Sequence, residues 1–261
     1  MIKKTGTIFG LLLGLVSIFG AFLFEGGTVK ALFLLAPIII VFGGTFAATI
    51  IGFSFEQFTN VWTLIKLAYF PRKYELGKLT EIIVDMSIKS RREGLLALDK
   101  DLKKLDYEFP KKLIGYAIDG TDAESIENIA MLEIKSMKER HDSNIAIFTK
   151  MGGYAPTMGI LGTVMALIVT LANAGGEPSL LIRNISSAFI ATMWGVFSAN
   201  LLWFPIADRL RKCHLEEKNM MELSLEGVLA LQNGEIPSVV RARLNSILPQ
   251  SNQRNVLLAL G

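Results

Sequence analysis

Apolar residues gather into four blocks: Thr5 to Phe24, Ala31 to Phe55, Met151 to Gly176 and Asn184 to Ala207 contain no Asp, Glu, Lys or Arg, and each is at least 20 residues long. At about 1.5 Å rise per residue, such a block matches a hydrocarbon core of roughly 30 Å, where a helix satisfies its own backbone. The pattern predicts four transmembrane helices. The first block is also a signal-peptide candidate, because Met1-Ile2-Lys3-Lys4 makes a basic start. Its apolar run is longer than a usual h-region, however, and Phe22-Leu23-Phe24-Glu25 lacks small-residue cleavage spacing.

The water-facing remainder reads as helical. Val61, Leu64, Ile65 and Ala68 recur at helical spacing until Pro71, and Leu79, Ile82, Ile83 and Met86 do so in the next segment. Gly94 breaks the chain before Leu95-Leu96-Ala97-Leu98 starts another turn. Thr121-Asp122-Ala123-Glu124 has a capping-box pattern that opens a helix through Ile129, Leu132 and Met137 towards the third block. Leu210 to Leu231 is helix-compatible until Asn233-Gly234 and Pro237. Glu25-Gly26-Gly27 makes a minimal turn within the first hairpin, and Asn173 to Arg183, with Gly175, Gly176 and Pro178, closes the second. The expected fold is an all-α integral membrane protein whose long helices extend into a cytoplasmic helical domain. Its segments are a lipid-facing hairpin (1–55), a cytoplasmic domain (56–150), a second hairpin (151–207) and C-terminal cytoplasmic helices (208–261).

Charge sets the orientation. Lys and Arg number 2 before the first block, 16 between Ser54 and Lys150 and 7 after Ala207, leaving Lys30 and Arg183 in the short loops. The positive-inside rule places both termini and the middle segment in the cytoplasm. That segment also holds 16 acidic residues, so no nucleic-acid partner is called for. The lone Cys213, read as partly buried, excludes an intrachain disulfide framework. Walker, His-Glu-x-x-His and nucleophile-elbow motifs are missing, so no catalytic residue or cofactor is expected. His141 and His214 sit in charged surroundings, are expected in solvent, and supply too few ligands for a metal.

No block contains an Asp, Glu, Lys, Arg or His, although proton relays and ion pathways generally use such groups. Either the chain moves no ions, or another polypeptide brings the titrating group. Gly159, Thr163, Ala166 and Thr170 fall at i, i+4, i+7 and i+11, and Ala188, Thr192, Gly195 and Ala199 repeat that spacing. Such stripes permit close helix packing, the commoner use, or present hydroxyls to a passing cation. Phe19, Phe22, Phe33 and Phe42 give the first two blocks the look of a lipid-facing layer. Pro156 and Pro205, near the cytoplasmic ends of the last two blocks, either form paired flexure points or accommodate helix ends.

Four stretches carry a family resemblance: KSRREGLLAL at 89–98, RHDSNIAIFTKMGGYAPTMGILGTVMAL at 140–167, SAFIATMWGVFSANLLWFPIADRL at 187–210 and EGVLALQNGEIP at 226–237. The chain resembles the MotA branch of the MotA/TolQ/ExbB ion-driven motors over nearly its whole length. TolQ and ExbB resemble only the last two spans well, so an energiser of outer-membrane transport or envelope maintenance is the alternative. The resemblance implies a homopentamer in the bacterial inner membrane around a dimer of a MotB-like single-span partner, which supplies the missing aspartate and anchors to the cell wall. It implies that the cytoplasmic domain pushes on FliG of the rotor. By position, Arg91 and Asp99 match the family's rotor-facing charges, Asp99 standing where Glu is usual, and Arg92, Lys100 and Asp101 flank them. Pro156 and Pro205 match the family's functional prolines. Thr163 and Thr192 match threonines near the partner's aspartate in sodium-driven members, whereas many proton-driven members have Ala where Thr163 stands. The coupling ion is H+ or Na+, with a lean to sodium.

Overall fold

The computed structural model describes residues 2–173 and 175–248, and its regular structure there is entirely helical. The side chains of residues 2–5 and 7, with the basic start, and residues 249–261 of the C-terminal segment lie outside that description. The chain divides into two compact units. One comprises the described residues up to Pro71 together with His141–Arg211; the other comprises Arg72–Arg140 together with the described chain from Lys212.

In the first unit, α1 (Ile2–Phe24) ends where Gly26 takes φ +85°, which lets the N–H groups of Gly26 and Gly27 bond back to Leu23 O and Phe22 O at 3.0 Å each. The second apolar block is interrupted. It consists of α2 (Val29–Leu32), α3 (Leu35–Ile38), a π-helical turn (Ile39–Gly43) and α4 (Gly44–Phe53). Pro37 has no N–H to give to the carbonyl of Phe33, four residues earlier, and the chain breaks at Phe33-Leu34. The Trp194 indole N–H donates to the carbonyl of Leu32 at 2.8 Å, satisfying a backbone oxygen freed by the break. After α5 (Phe55–Thr59), α6 (Val61–Tyr69) stops just before Pro71, as its periodicity predicts.

Two long helices follow one another, α9 (Ala123–Ala172) and α10 (Pro178–Ser198), the latter running through a second π-helical turn (Ala199–Trp203) into α11 (Phe204–Gln232). The expected Asn173–Arg183 loop is shorter than predicted. Glu177 is extended at ψ 135° and Pro178 occupies the first helical position with its φ preset, so Arg183 already lies inside α10. Among the described residues, three helical stretches are long and apolar enough to cross a membrane: Leu35–Phe53, Ala123–Ala172 and Pro178–Gln232. The described apolar part of α1, Ile8–Phe24, is shorter.

Of the phenylalanines expected to form a lipid-facing layer, Phe19 and Phe42 are half-buried beside α10, whereas Phe33 keeps 57% of its surface exposed. Phe19 lies 5.4 Å from Phe197, while Phe33 and Phe42 lie 5.6 and 6.0 Å from Trp194, centroid to centroid. Lipid tails are as apolar as these rings, so the partial burial of Phe19 and Phe42 against α10 is decided by shape and aromatic geometry rather than by hydrophobicity. Phe22 is half-buried beside Gly27.

The second unit is built from α7 (Leu76–Glu93), a 3-10 helix (Leu95–Lys104), α8 (Glu108–Ile118), the first part of α9, most of α11 and α12 (Pro237–Ile247). Its core centres on Leu79, Ile83, Leu98, Leu113, Ile126, Leu223 and Leu244, each no more than 2% exposed. On α9 the buried face is Ile126, Ala130, Ile134 and Met137, whereas Ile129 and Leu132 point outward. The cap of α9 is Asp122, one residue later than the capping-box reading. Its carboxylate accepts the N–H of Ser125 at 2.9 Å, and hydrogen bonding from the Ser125 hydroxyl, then from that N–H, holds its pKa below the usual carboxylate range. His214 is only 8% exposed, contrary to its expected place in solvent, because the α11 face that carries it is turned into protein; Cys213 is half-buried as expected.

Candidate functional site

The small-residue stripes of α9 and α10 meet within one chain. A Cβ on Gly159 would stand 2.9 Å from the carbonyl oxygen of Ala191, and one on Gly195 would stand 2.7 Å from that of Ala155. Both obstacles are backbone, so only glycine permits this separation. Ala188 and Ala199 are buried, Ala166 and Thr170 are half-buried further along their stripe, and the Thr170 hydroxyl donates back to Ala166 O at 2.8 Å. Ala155, Gly162 and Ala191 belong to the same contact and were missed in the sequence. Their signal was the small-residue spacing continued by four residues before Gly159 and by three on either helix.

Thr163 and Thr192 are brought together at this contact. Their hydroxyl oxygens are 2.5 Å apart, and Thr163 Oγ1 lies 3.0 Å from both Gly159 O and Ala188 O. A hydroxyl has one proton to give. A consistent arrangement has Thr192 donating to Thr163, which donates to one of the two carbonyls. The cluster is four neutral oxygens that offer lone pairs to a cation or hold a water, but contain no group that titrates near neutral pH.

The prolines sit differently from the helix-end reading. Pro156 is inside α9, and its Cα would be 3.2 Å from a Cβ on Gly195. Pro205 is the second residue of α11, directly after the π-helical turn, whose wider helix relieves the clash of a proline ring with the preceding turn. Neither ends a helix.

The charged residues divide between exposed and buried. Arg91 and Arg92 close α7; Gly94 then takes φ +82°, ψ 166°, and the 3-10 helix presents Asp99 and Lys100. All four are exposed. Asp101 is not: it is 7% exposed, with Lys89 Nζ at 2.8 Å from Oδ2 and Lys104 Nζ at 2.7 Å from Oδ1. Hydrogen bonds from Lys104 and Lys89 hold its carboxyl below the usual carboxylate range. Asp101 therefore leaves the exposed surface to which the sequence assigned it. The reason is local geometry, since residues three apart eclipse in a 3-10 helix and Asp101 falls directly over the fully buried Leu98.

Comparison with known proteins agrees with the resemblance. Residues 98–223 match the MotA/TolQ/ExbB proton channel family, and residues 8–93 match the N-terminal region of motility protein A. Motility protein A of Bacillus subtilis is 34% identical over 251 residues, 96% of this chain and 92% of that protein. The chemotaxis protein PomA of Vibrio alginolyticus is 29% identical, covering 95% of this chain and 96% of PomA. A chain of the flagellar MotAB stator complex from Bacillus subtilis superposes with a TM-score of 0.88 at 33% identity, covering 95% of this chain and 98% of that one. With helices of membrane-spanning length, a close-packed pair of small-residue stripes and whole-length similarity to motility proteins, this chain belongs to the MotA/TolQ/ExbB proton channel family, in its motility protein A branch.

Proposed function

We infer that the chain is the channel-forming, torque-generating subunit of a bacterial flagellar stator. The observation that carries this is its likeness, across 95% of its length, to the flagellar MotAB stator complex. The uncharged apolar blocks support the same reading, because such a channel then needs a titrating carboxylate from another chain. In this reading four spans cross the inner membrane with both termini in the cytoplasm. Segment 1–55 forms the peripheral hairpin and 151–207 the pore-lining one, while 56–150 and 208–261 are cytoplasmic. Five copies surround a MotB-like dimer whose single spans each bring an aspartate to the Thr163–Thr192 oxygens, Pro156 and Pro205 transmit ion passage to the cytoplasmic domain, and Arg91, Arg92, Asp99 and Lys100 push on FliG.

Purification in mild detergent with the single-span partner, followed by mass measurement of the intact complex, tests the architecture. Five copies of this chain with two of a partner bearing one intramembrane acid is the expected result. Recovery of this chain alone would leave its spans without an ion carrier and defeat the channel reading.

Thr163→Val and Thr192→Val keep side-chain shape and remove a hydroxyl. Each is expected to cost about 1–2 kcal/mol of ion stabilisation, roughly a tenfold loss of ion flux, with assembly unchanged. Undiminished torque in both variants would exclude these oxygens from the pathway. For the coupling ion, the sodium reading expects motility to fail in sodium-free medium, and unchanged swimming would assign the motor to protons.

A further inference from the structure

The exposed charges attributed above to the rotor contact lie on two separate elements. Arg91 and Arg92 belong to the last turn of α7, and Asp99 and Lys100 to the 3-10 helix. The joint between them is Gly94, whose left-handed φ turns the chain and whose missing side chain would meet nothing within 4 Å. Outside the bonds internal to α7 and the 3-10 helix, the turn is held by backbone bonds from Gly94 N–H to Ser90 O at 2.9 Å and from Ala97 N–H to Gly94 O at 3.2 Å. The apolar contact of Leu98 beneath it has no preferred direction. The Lys89–Asp101 pair does: it reaches from α7 to the 3-10 helix across the joint, with side chains 29% and 10% exposed, so water screens it little. Among the described residues it is the ion pair that joins these two elements. Lys104, Asp101's other partner, lies on the same 3-10 helix and is 67% exposed, so it ties nothing across the joint.

We propose that Asp101, through its ion pair with Lys89, is a positioning residue that fixes the spacing of the Arg91/Arg92 and Asp99/Lys100 charges for engagement of the rotor. This rests on the reading of those four charges as the rotor-facing surface. Asp101 does not touch the rotor. It holds the 3-10 helix at one angle to α7, so that charges of both signs meet their counterparts without an ordering cost at each of the contacts the motor makes and releases.

The experiment uses the complete stator complex, with its partner, and measures capture of purified FliG, partner co-purification, ion conductance and hydrogen exchange. Asp101→Asn and Lys89→Gln are expected to weaken capture by roughly tenfold and to raise exchange within residues 94–104, with complex yield and conductance unchanged. Lys104→Gln, which removes an equal charge nearby but leaves the link across the joint, is expected to change capture less than about twofold. Arg91→Glu is the control on the underlying reading and is expected to abolish capture. If Arg91→Glu captures normally, the rotor-surface assignment falls and this proposal with it. If Arg91→Glu fails to capture while Asp101→Asn and Lys89→Gln capture normally, the positioning role alone is overturned. Equal losses in Lys104→Gln and Lys89→Gln would overturn it as well, since surface charge would then explain both. So would a loss of complex yield in step with the loss of capture, the mark of a general structural role.

Discussion

Gly195→Val is expected to prevent α9 and α10 from docking and to abolish recovery of the assembled complex. The added Cβ alone would sit 2.7 Å from Ala155 O, 3.1 Å from Gly159 Cα and 3.2 Å from Pro156 Cα, all atoms of a continuous helix. Overpacking against mobile side chains costs about 1–3 kcal/mol, and backbone relaxes less readily, so a cost above about 3 kcal/mol is expected. Within a bilayer no hydrophobic gain on docking offsets this, because the helices leave one apolar medium for another. The separation would also part Thr163 from Thr192, coupling the stability defect to the ion site. Gly20→Ala is the matched control: nothing lies within 4 Å of its added methyl, and alanine favours helix, so yield and melting temperature should be unchanged or slightly raised. Normal assembly of Gly195→Val in a detergent melt would show that this contact does not hold the two helices together.

Ile83→Ala is expected to have the largest effect in the second unit. Ile83 is fully buried on α7, and its Cδ1 lies 2.8 Å from where a Cβ of Gly227 on α11 would be, so it fills the hollow that this glycine leaves. Truncation removes buried methyl groups and leaves a cavity, a loss of about 2–5 kcal/mol. Hydrogen exchange of the complete complex should register it as lost protection in α7 and in the neighbouring stretch of α11, with the helices of the first unit unaffected. Leu96→Ala, at a side chain 76% exposed, should change stability by less than about 0.5 kcal/mol. Equal protection in Ile83→Ala and the parent would remove Ile83 from the core.

Reading the chain alone succeeded where a signal is local and strong. A block without charges at membrane length specifies apolar helical structure, broken only at Phe33-Leu34 among the described parts of the four blocks' interiors, and Gly94 and Pro71 interrupt helices because their backbone chemistry leaves few alternatives. The small-residue stripes were legible from spacing, and the structure brings their central members together. The break before Pro37 was not legible as a stop, because prolines are tolerated in apolar helices when a neighbour re-satisfies the backbone. Here the neighbour is Trp194, some 160 positions away in the chain. The buried face of α9 was equally hidden: Ile126, Ile134, Ile129 and Leu132 are similar in hydrophobicity, and only the elements packed beside them select the first two.

Sequence by itself determined the all-helical class, the apolar blocks, the absence of Asp, Glu, Lys, Arg and His within them and the resemblance to a motor family, since each depends on residue type and spacing along one chain. Tertiary structure decided which side chains face one another. It brought Thr163 within 2.5 Å of Thr192, aimed Phe19 and Phe42 at α10 and withdrew Asp101 from the charged surface into a two-lysine clasp. The physical reason is the same in each case: a side chain's periodicity fixes its direction on its own helix, but its partner is set by how separate helices dock, and that information is carried by residues distant in the chain.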